Sequence, residues 1–261
     1  MRYYELYESS AVDEYGYMAK EMELDASDNM VVRHLMDSAV KVKNDCQIYL
    51  GQIDPGKDIL YRGIRDKALA GTGKGMTDKF IKKDVRLDGR NPKDTDQKAH
   101  EYINDYFVKH YGAPFRNGMF ATGRESESFK YGTSFQIFPI GDFEFLWSDS
   151  VKDLWVQSRP LRIALGDASR GDNPEHWRDE RVKKELKMFT DSILGSYTTS
   201  NLSGGIKSET EVMMRPASYY GVSFDNYTRE YLDVPNQTWP LTELSKISDR
   251  MFALFYGILR A

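Results

Sequence analysis

The stretch Ser208-Glu209-Thr210-Glu211-Val212-Met213-Met214-Arg215-Pro216, followed closely by Tyr219-Tyr220-Gly221-Val222, decides how this chain is read. Two carboxylates, one residue apart, run directly into a short apolar segment. Pro216 separates it from a second apolar segment rich in aromatics. Residues 212–214 and 219–223 therefore read as a pair of strands. Alternate residues on a strand point the same way, so Glu209 and Glu211 could face one cleft, about 6–7 Å apart along the strand; taken alone, the motif reads more readily as a solvated charged strand entry. Upstream, residues 196–208 (SYTTSNLSGGIKS) are almost all small or polar, which predicts a loop.

Working outward, short strands are expected at residues 59–64, 118–122, 134–138 and 143–147, each bounded by turn residues. Helices are expected between and around them. Asp28 or Asn29 caps one that carries Val32, Leu35, Met36 and Ala39 on one stripe and stops at Gly51. Thr95 caps a second, with Ala99, Ile103 and Phe107 on its stripe. Ser148 caps a short one running through Leu154. Asn173-Pro174 opens another, through Leu186 and Phe189 to Gly195, and Pro240 starts a last amphipathic helix. Residues 66–93, rich in Gly, Lys and Asp, read as an exposed mobile excursion. Short strands without regular helix crossovers, beside separate helices, predict an α+β fold. There is no internal repeat, so one unit is expected: an N-terminal helical part (1–58), a core (59–224) and a C-terminal helix (225–261).

Composition narrows the function. With 261 residues the chain can bury a sizeable core, and its 40% hydrophobic and 29% charged residues are ordinary for a globular protein. The net charge of −4 disfavours a protein that tracks nucleic-acid backbone. The single cysteine, Cys46, permits no internal disulfide, and its apolar helical context predicts a buried structural thiol. The opening MRYYELYESS has no apolar leader run, and no stretch is long enough to span a membrane, so the expectation is a cytoplasmic protein without a membrane partner.

Two further segments could carry chemistry. Leu60-Tyr61-Arg62-Gly63 sets an arginine on a strand, where its planar fork can meet a diphosphate while Gly63 keeps the backbone close. Phe120-Ala121-Thr122-Gly123 ends a strand on one hydroxyl. In order and context these segments and the Glu-x-Glu segment resemble the arginine–serine–glutamate class of mono-ADP-ribosyltransferases, over roughly residues 59 to 224. The middle motif, Ser-Thr-Ser in that class, stands here as Ala121-Thr122-Gly123, with one hydroxyl left. Phe138-Pro139-Ile140-Gly141 through Trp147-Ser148 is also similar to phage-encoded members.

The resemblance implies split mixed β-sheets flanked by helices, NAD as substrate, and no metal. It implies that Arg62 and Gly63 hold the diphosphate, that Thr122 supports the nicotinamide ribose, and that Tyr131 or Phe135 stacks on nicotinamide. Glu211 becomes the catalytic carboxylate and Glu209 the residue that orients or deprotonates the acceptor. The implied acceptor is an arginine on a host protein. The basic residues 79–90 (KFIKKDVRLDGR) keep a nucleic-acid acceptor open.

Two other classes compete. Glu209 and Glu211 could serve a glycoside hydrolase or NAD glycohydrolase as its carboxylate pair, though the Arg-Gly strand favours a diphosphate substrate. Ala121 and Gly123 are the features that favour a non-catalytic relative. Gly71-Thr72-Gly73-Lys74-Gly75 fails the phosphate-loop pattern, and His34, His100, His110 and His176 lack ligand spacing.

Overall fold

The computed structural model describes residues 10–24, 29–65, 78–88, 97–159, 161–162, 180–232 and 241–261. Seven strands, β1 (Tyr61–Ile64), β2 (Phe80–Asp84), β3 (Met119–Thr122), β4 (Thr133–Ile140), β5 (Phe145–Trp147), β6 (Glu211–Met214) and β7 (Ser218–Val222), form one sheet in the order β2-β7-β4-β1-β3-β6-β5. With the helices around it the fold is α+β. Every pairing is antiparallel, which corrects the expectation of mixed sheets. Strand direction depends on the edge to which each connection returns, and apolar patterning does not encode that. β1 meets β4 through four register pairs but meets β3 through one, Tyr61 with Thr122. The sheet is therefore nearly divided into β2-β7-β4-β1 and β3-β6-β5.

Three readings of individual segments are corrected. β6 and β7 do not pair, because β4, β1 and β3 lie between them. Within residues 66–93, Phe80–Asp84 forms β2 and pairs along its whole length with β7. Its Phe-Ile-Lys-Lys-Asp sequence lacks clean alternation because it is an edge strand, where lysines suit the open side. Residues 66–77 and 89–96, with the Thr95 cap and the glycine-lysine segment, lie outside the described residues. The polar loop holds a helix, described below.

The helices bury the stripes their sequences carry. α1 (Ser10–Glu21) precedes α2 (Met30–Asp45), whose N-cap is Asn29: its Oδ1 accepts from the amides of Val31 and Val32. Helical geometry breaks at Cys46, and the one-turn α3 (Gln47–Leu50) carries the chain to Gly51. Cys46 is buried, as expected; burial pushes its thiol up to about 12. α4 (Gln97–Tyr111) is followed by the short α5 (Glu125–Ser128) and α6 (Leu154–Gln157). α6 starts later than the reading from Ser148, because the side chain of Asp153 caps it. α7 (Glu180–Ser192), α8 (Leu202–Lys207), α9 (Phe224–Tyr231) and α10 (Leu241–Arg260) complete the described helices. The expected openings at Asn173-Pro174 and Pro240 fall outside the described residues.

The two faces of β6 explain why its apolar run is continuous. Val212 and Met214 enter a core shared with Leu35 of α2, Phe138 of β4 and Phe255 of α10. Met213 enters a second core with Ile103 and Phe107 of α4 and Phe189 of α7. A strand covered on both faces has no polar alternation to show. The N-terminal and C-terminal helices thus share one core with the sheet. No helix among the described residues is long and apolar enough to cross a membrane.

Candidate active site

The three segments singled out from the sequence lie on adjacent strands, β1, β3 and β6. Tyr61 stands opposite Thr122, and Thr122 opposite Glu211. Directly paired residues share a face of a sheet, so these three form a row. Arg62 pairs with Phe135 one position on, and successive side chains alternate, so its side chain leaves on the other face.

Glu211 opens β6 and is half-buried, with Oε1 shielded from solvent. Its amide donates to the Lys152 carbonyl at 3.2 Å, which draws the segment before α6 across the head of the strand. Three side chains share its electrostatic surroundings: Arg116, Tyr131 and Tyr197. Arg116 is 6% exposed, and its guanidinium lies 5.5 Å from the Phe120 ring centroid. Burial lowers its pKa, and the Glu211 carboxylate acts the other way. Arginine still keeps its charge there. Tyr197 is 5% exposed and packed edge-on against Phe107 at 5.3 Å. Among the described residues its hydroxyl has no hydrogen-bond partner. Burial first, and the Glu211 charge second, raise its pKa far above the usual phenol value, so it stays a neutral donor. Arg116 and Tyr197 were not read from the sequence. A lone arginine after Pro114-Phe115 and a tyrosine in a polar run give no periodic signal.

Glu209 does not lie on the strand, which corrects the reading of two carboxylates on alternate strand positions. It sits in a left-handed turn, φ 57°, with its side chain 59% exposed and 3.9 Å from Nε of Arg124. Thr122 ties this turn to the sheet. Its Oγ1 donates to the Glu209 carbonyl at 3.3 Å and accepts from the Arg124 amide at 3.1 Å. The one hydroxyl left in the middle motif therefore joins the Glu209 turn to the strand facing Glu211.

The glycine at 123, where the resembled class has serine, has a packing cause. A Cβ on Gly123 would lie 1.8 Å from the Ile206 carbonyl oxygen, so only glycine lets the end of α8 approach β3. α8 is itself the correction to the predicted polar loop. Asn201, in the left-handed region, caps it by accepting from the Gly204 amide at 3.0 Å. Trp147 Nε1 donates to the Ser200 carbonyl at 2.8 Å, and Gly205 rides on the Trp147 ring. Lys207 reaches the buried carboxylate of Asp58 at 3.2 Å. The segment before Glu209 is thus a fixed support.

The remaining expected residues divide. Tyr131 is 62% exposed, so its ring is open to a ligand near Glu211. Phe135 is fully buried in the core and does not present its ring to a cleft, which corrects its stacking role. The inward face of β4 claims it. Arg62 donates from Nη1 to the Phe120 carbonyl at 2.6 Å, and its charge lies near the Tyr219 phenol of β7. The first contact clamps β1 to β3 where the ladder has one register pair. Gly63 lets β1 pass the 125–131 segment, since a Cβ there would lie 1.9 Å from the Ser128 carbonyl oxygen. Comparison with family models, curated proteins and solved structures finds no match to this chain.

Proposed function

We propose that this protein is an NAD-dependent mono-ADP-ribosyltransferase that modifies arginine on a protein, with Glu211 as its catalytic residue. The observation that carries this reading is the row Tyr61–Thr122–Glu211 on three adjacent strands. Segments far apart in sequence, chosen for their likeness to one catalytic class, are neighbours. The shielded carboxylate, whose charge acts on a buried arginine and two tyrosines, adds to it.

In this reading Tyr131 covers the nicotinamide ring. The bond between nicotinamide nitrogen and ribose breaks, nicotinamide leaves with the electron pair, and positive charge develops on the ribose. Glu211 is fixed beside it, so it stabilises that charge more in the transition state than in the ground state. The acceptor nitrogen then forms the new bond, and its proton passes to Glu209, the exposed carboxylate of the pair. Arg62 contributes as the clamp between β1 and β3. Incubating the protein with labelled NAD and a bacterial lysate tests the proposal. Label on protein, absent with Glu211→Gln, is the expected result. Nicotinamide release without label on any macromolecule would replace the transferase by a glycohydrolase, and no NAD consumption would refute both.

A further inference from the structure

The transfer reaction makes no use of Tyr197, although this side chain shares a sheet face with Glu211. Trp147 pairs with Val212 on one side of β5 and bridges to Thr198 on the other. The backbone at Tyr197 therefore runs two strand spacings from that at Glu211, about 10 Å away. Tyr197 lies in the second core with Met213, and Glu211 stands two residues before Met213 on β6, so both side chains leave on one face. Arg116 reaches the same face. Its guanidinium lies over the Phe120 ring, which packs against that core.

The Tyr197 hydroxyl gives a second, independent observation. The residue is 5% exposed, and among the described residues its hydroxyl has no hydrogen-bond partner. The rest of the residue is well held. Its carbonyl accepts from the Tyr111 hydroxyl at 3.0 Å, and its ring packs edge-on against Phe107. Phenylalanine would make these contacts equally well. A buried hydroxyl without a partner destabilises a fold, so packing alone favours phenylalanine here. Such a hydroxyl turns in the local field. After burial, the groups that act most on it are Glu211, Arg116 and Asp153, in that order. The carboxylate of Glu211 attracts its proton, and the guanidinium of Arg116 attracts its oxygen.

We propose that Tyr197 is a positioning residue for Glu211: its fixed hydroxyl dipole, turned along the sheet face, keeps the carboxylate ionised to meet the charge that develops on the ribose. The inference rests on the reading of Glu211 as the catalytic residue. Tyr197 touches no substrate and acts through Glu211. A dipole already oriented in a shielded site needs no reorganisation as the reaction proceeds. The other charged and titratable groups around this site are Arg116, Tyr131 and Asp153, with Arg162 acting on Arg116.

Tyr197→Phe removes one oxygen and tests this. With isotope-labelled carboxyl carbons in glutamate alone, the Glu211 signal is the one missing from Glu211→Gln, and NMR follows its titration. Without the dipole the charged form is less favoured. The Glu211 midpoint should therefore rise by about half a unit or more, a roughly three-fold change in the proton equilibrium. The acid limb of nicotinamide release should rise with it. The melting temperature should stay equal or increase, because no hydrogen bond is lost. An unmoved Glu211 midpoint in folded Tyr197→Phe would overturn the proposal. So would a melting temperature lowered by several degrees, which would make the hydroxyl a structural donor. If the natural chain releases no nicotinamide, the NAD reading fails, and the Glu211 titration still decides whether Tyr197 acts on that carboxylate.

Discussion

The Thr122 hydroxyl donates to the Glu209 carbonyl at 3.3 Å while the Thr122 backbone stands opposite Glu211. One residue thereby connects both carboxylate-bearing residues to β3, Glu209 through its side chain and Glu211 through its backbone. Thr122→Ala removes this tie and is expected to cost about 0.5–1.5 kcal/mol of stability. Thr122→Ser keeps the hydroxyl and should recover turnover. Denaturant unfolding and nicotinamide release on the two variants check this, and equal behaviour of Ala and Ser would mean that the hydroxyl plays no part.

Gly123 stands where the resembled class has serine. Because a Cβ would meet the Ile206 carbonyl at 1.8 Å, restoring the motif with Gly123→Ser should damage the protein. The expected cost is about 1–3 kcal/mol, that of forcing side-chain atoms into a packed site. A melting temperature equal to that of the natural chain would show that α8 is not held where described.

Arg116 is a buried cation on which the Glu211 carboxylate acts more strongly than any other charge. Arg116→Met keeps the apolar stem and removes the charge. It should destabilise the fold by about 1–3 kcal/mol, the cost of leaving buried polar partners unmet, and lower turnover beyond what the lost stability explains. Full turnover in a folded Arg116→Met variant would remove it from the account of the site.

His34 supplies a pH dependence away from the site. Its Nδ1 is 2.8 Å from the Tyr227 hydroxyl. Burial, with Lys79 adding to it and Asp37 and Glu230 opposing, holds its pKa below the ordinary value of 6.5. The unfolded chain therefore takes up the proton more readily than the folded one. Its contribution is fully present above about pH 6.5 and is lost as the pH falls towards the lowered folded pKa. Melting temperatures measured from pH 7.5 to 5 should fall, and fall less in His34→Asn.

Much of the fold was legible because the strands and helices carry local signals. Asn29 capping α2, the stripe of α4 and the apolar runs of β3, β4 and β6 are of this kind. Strand order and direction were not legible, since they depend on contacts between distant residues; the single link between Tyr61 and Thr122 has no local mark. β2 escaped notice because an edge strand tolerates Lys82 and Lys83. α8 escaped because its stability comes from the Asn201 cap and the Trp147 ring rather than from helix-forming residues. At the site, Glu211, Thr122 and Tyr131 read from the sequence as residues that meet a ligand; in the fold Glu211 is half-buried, Thr122 holds the Glu209 turn and Tyr131 is exposed. Phe135 was misread because an aromatic on a strand reads the same whether it faces a cleft or a core. Arg116 and Tyr197 come together with Glu211 only through folding.

The central claim rests on Glu211, and nicotinamide release from NAD by the purified protein tests it most directly. Glu211→Gln is nearly isosteric and should preserve NAD binding, measured by calorimetry, within a few-fold. The account predicts that turnover falls by on the order of 10²–10³ or more, the scale of losing one fixed charge-stabilising group. Glu209→Gln should abolish labelling of protein while sparing part of the hydrolysis. Full nicotinamide release by folded Glu211→Gln would contradict the account.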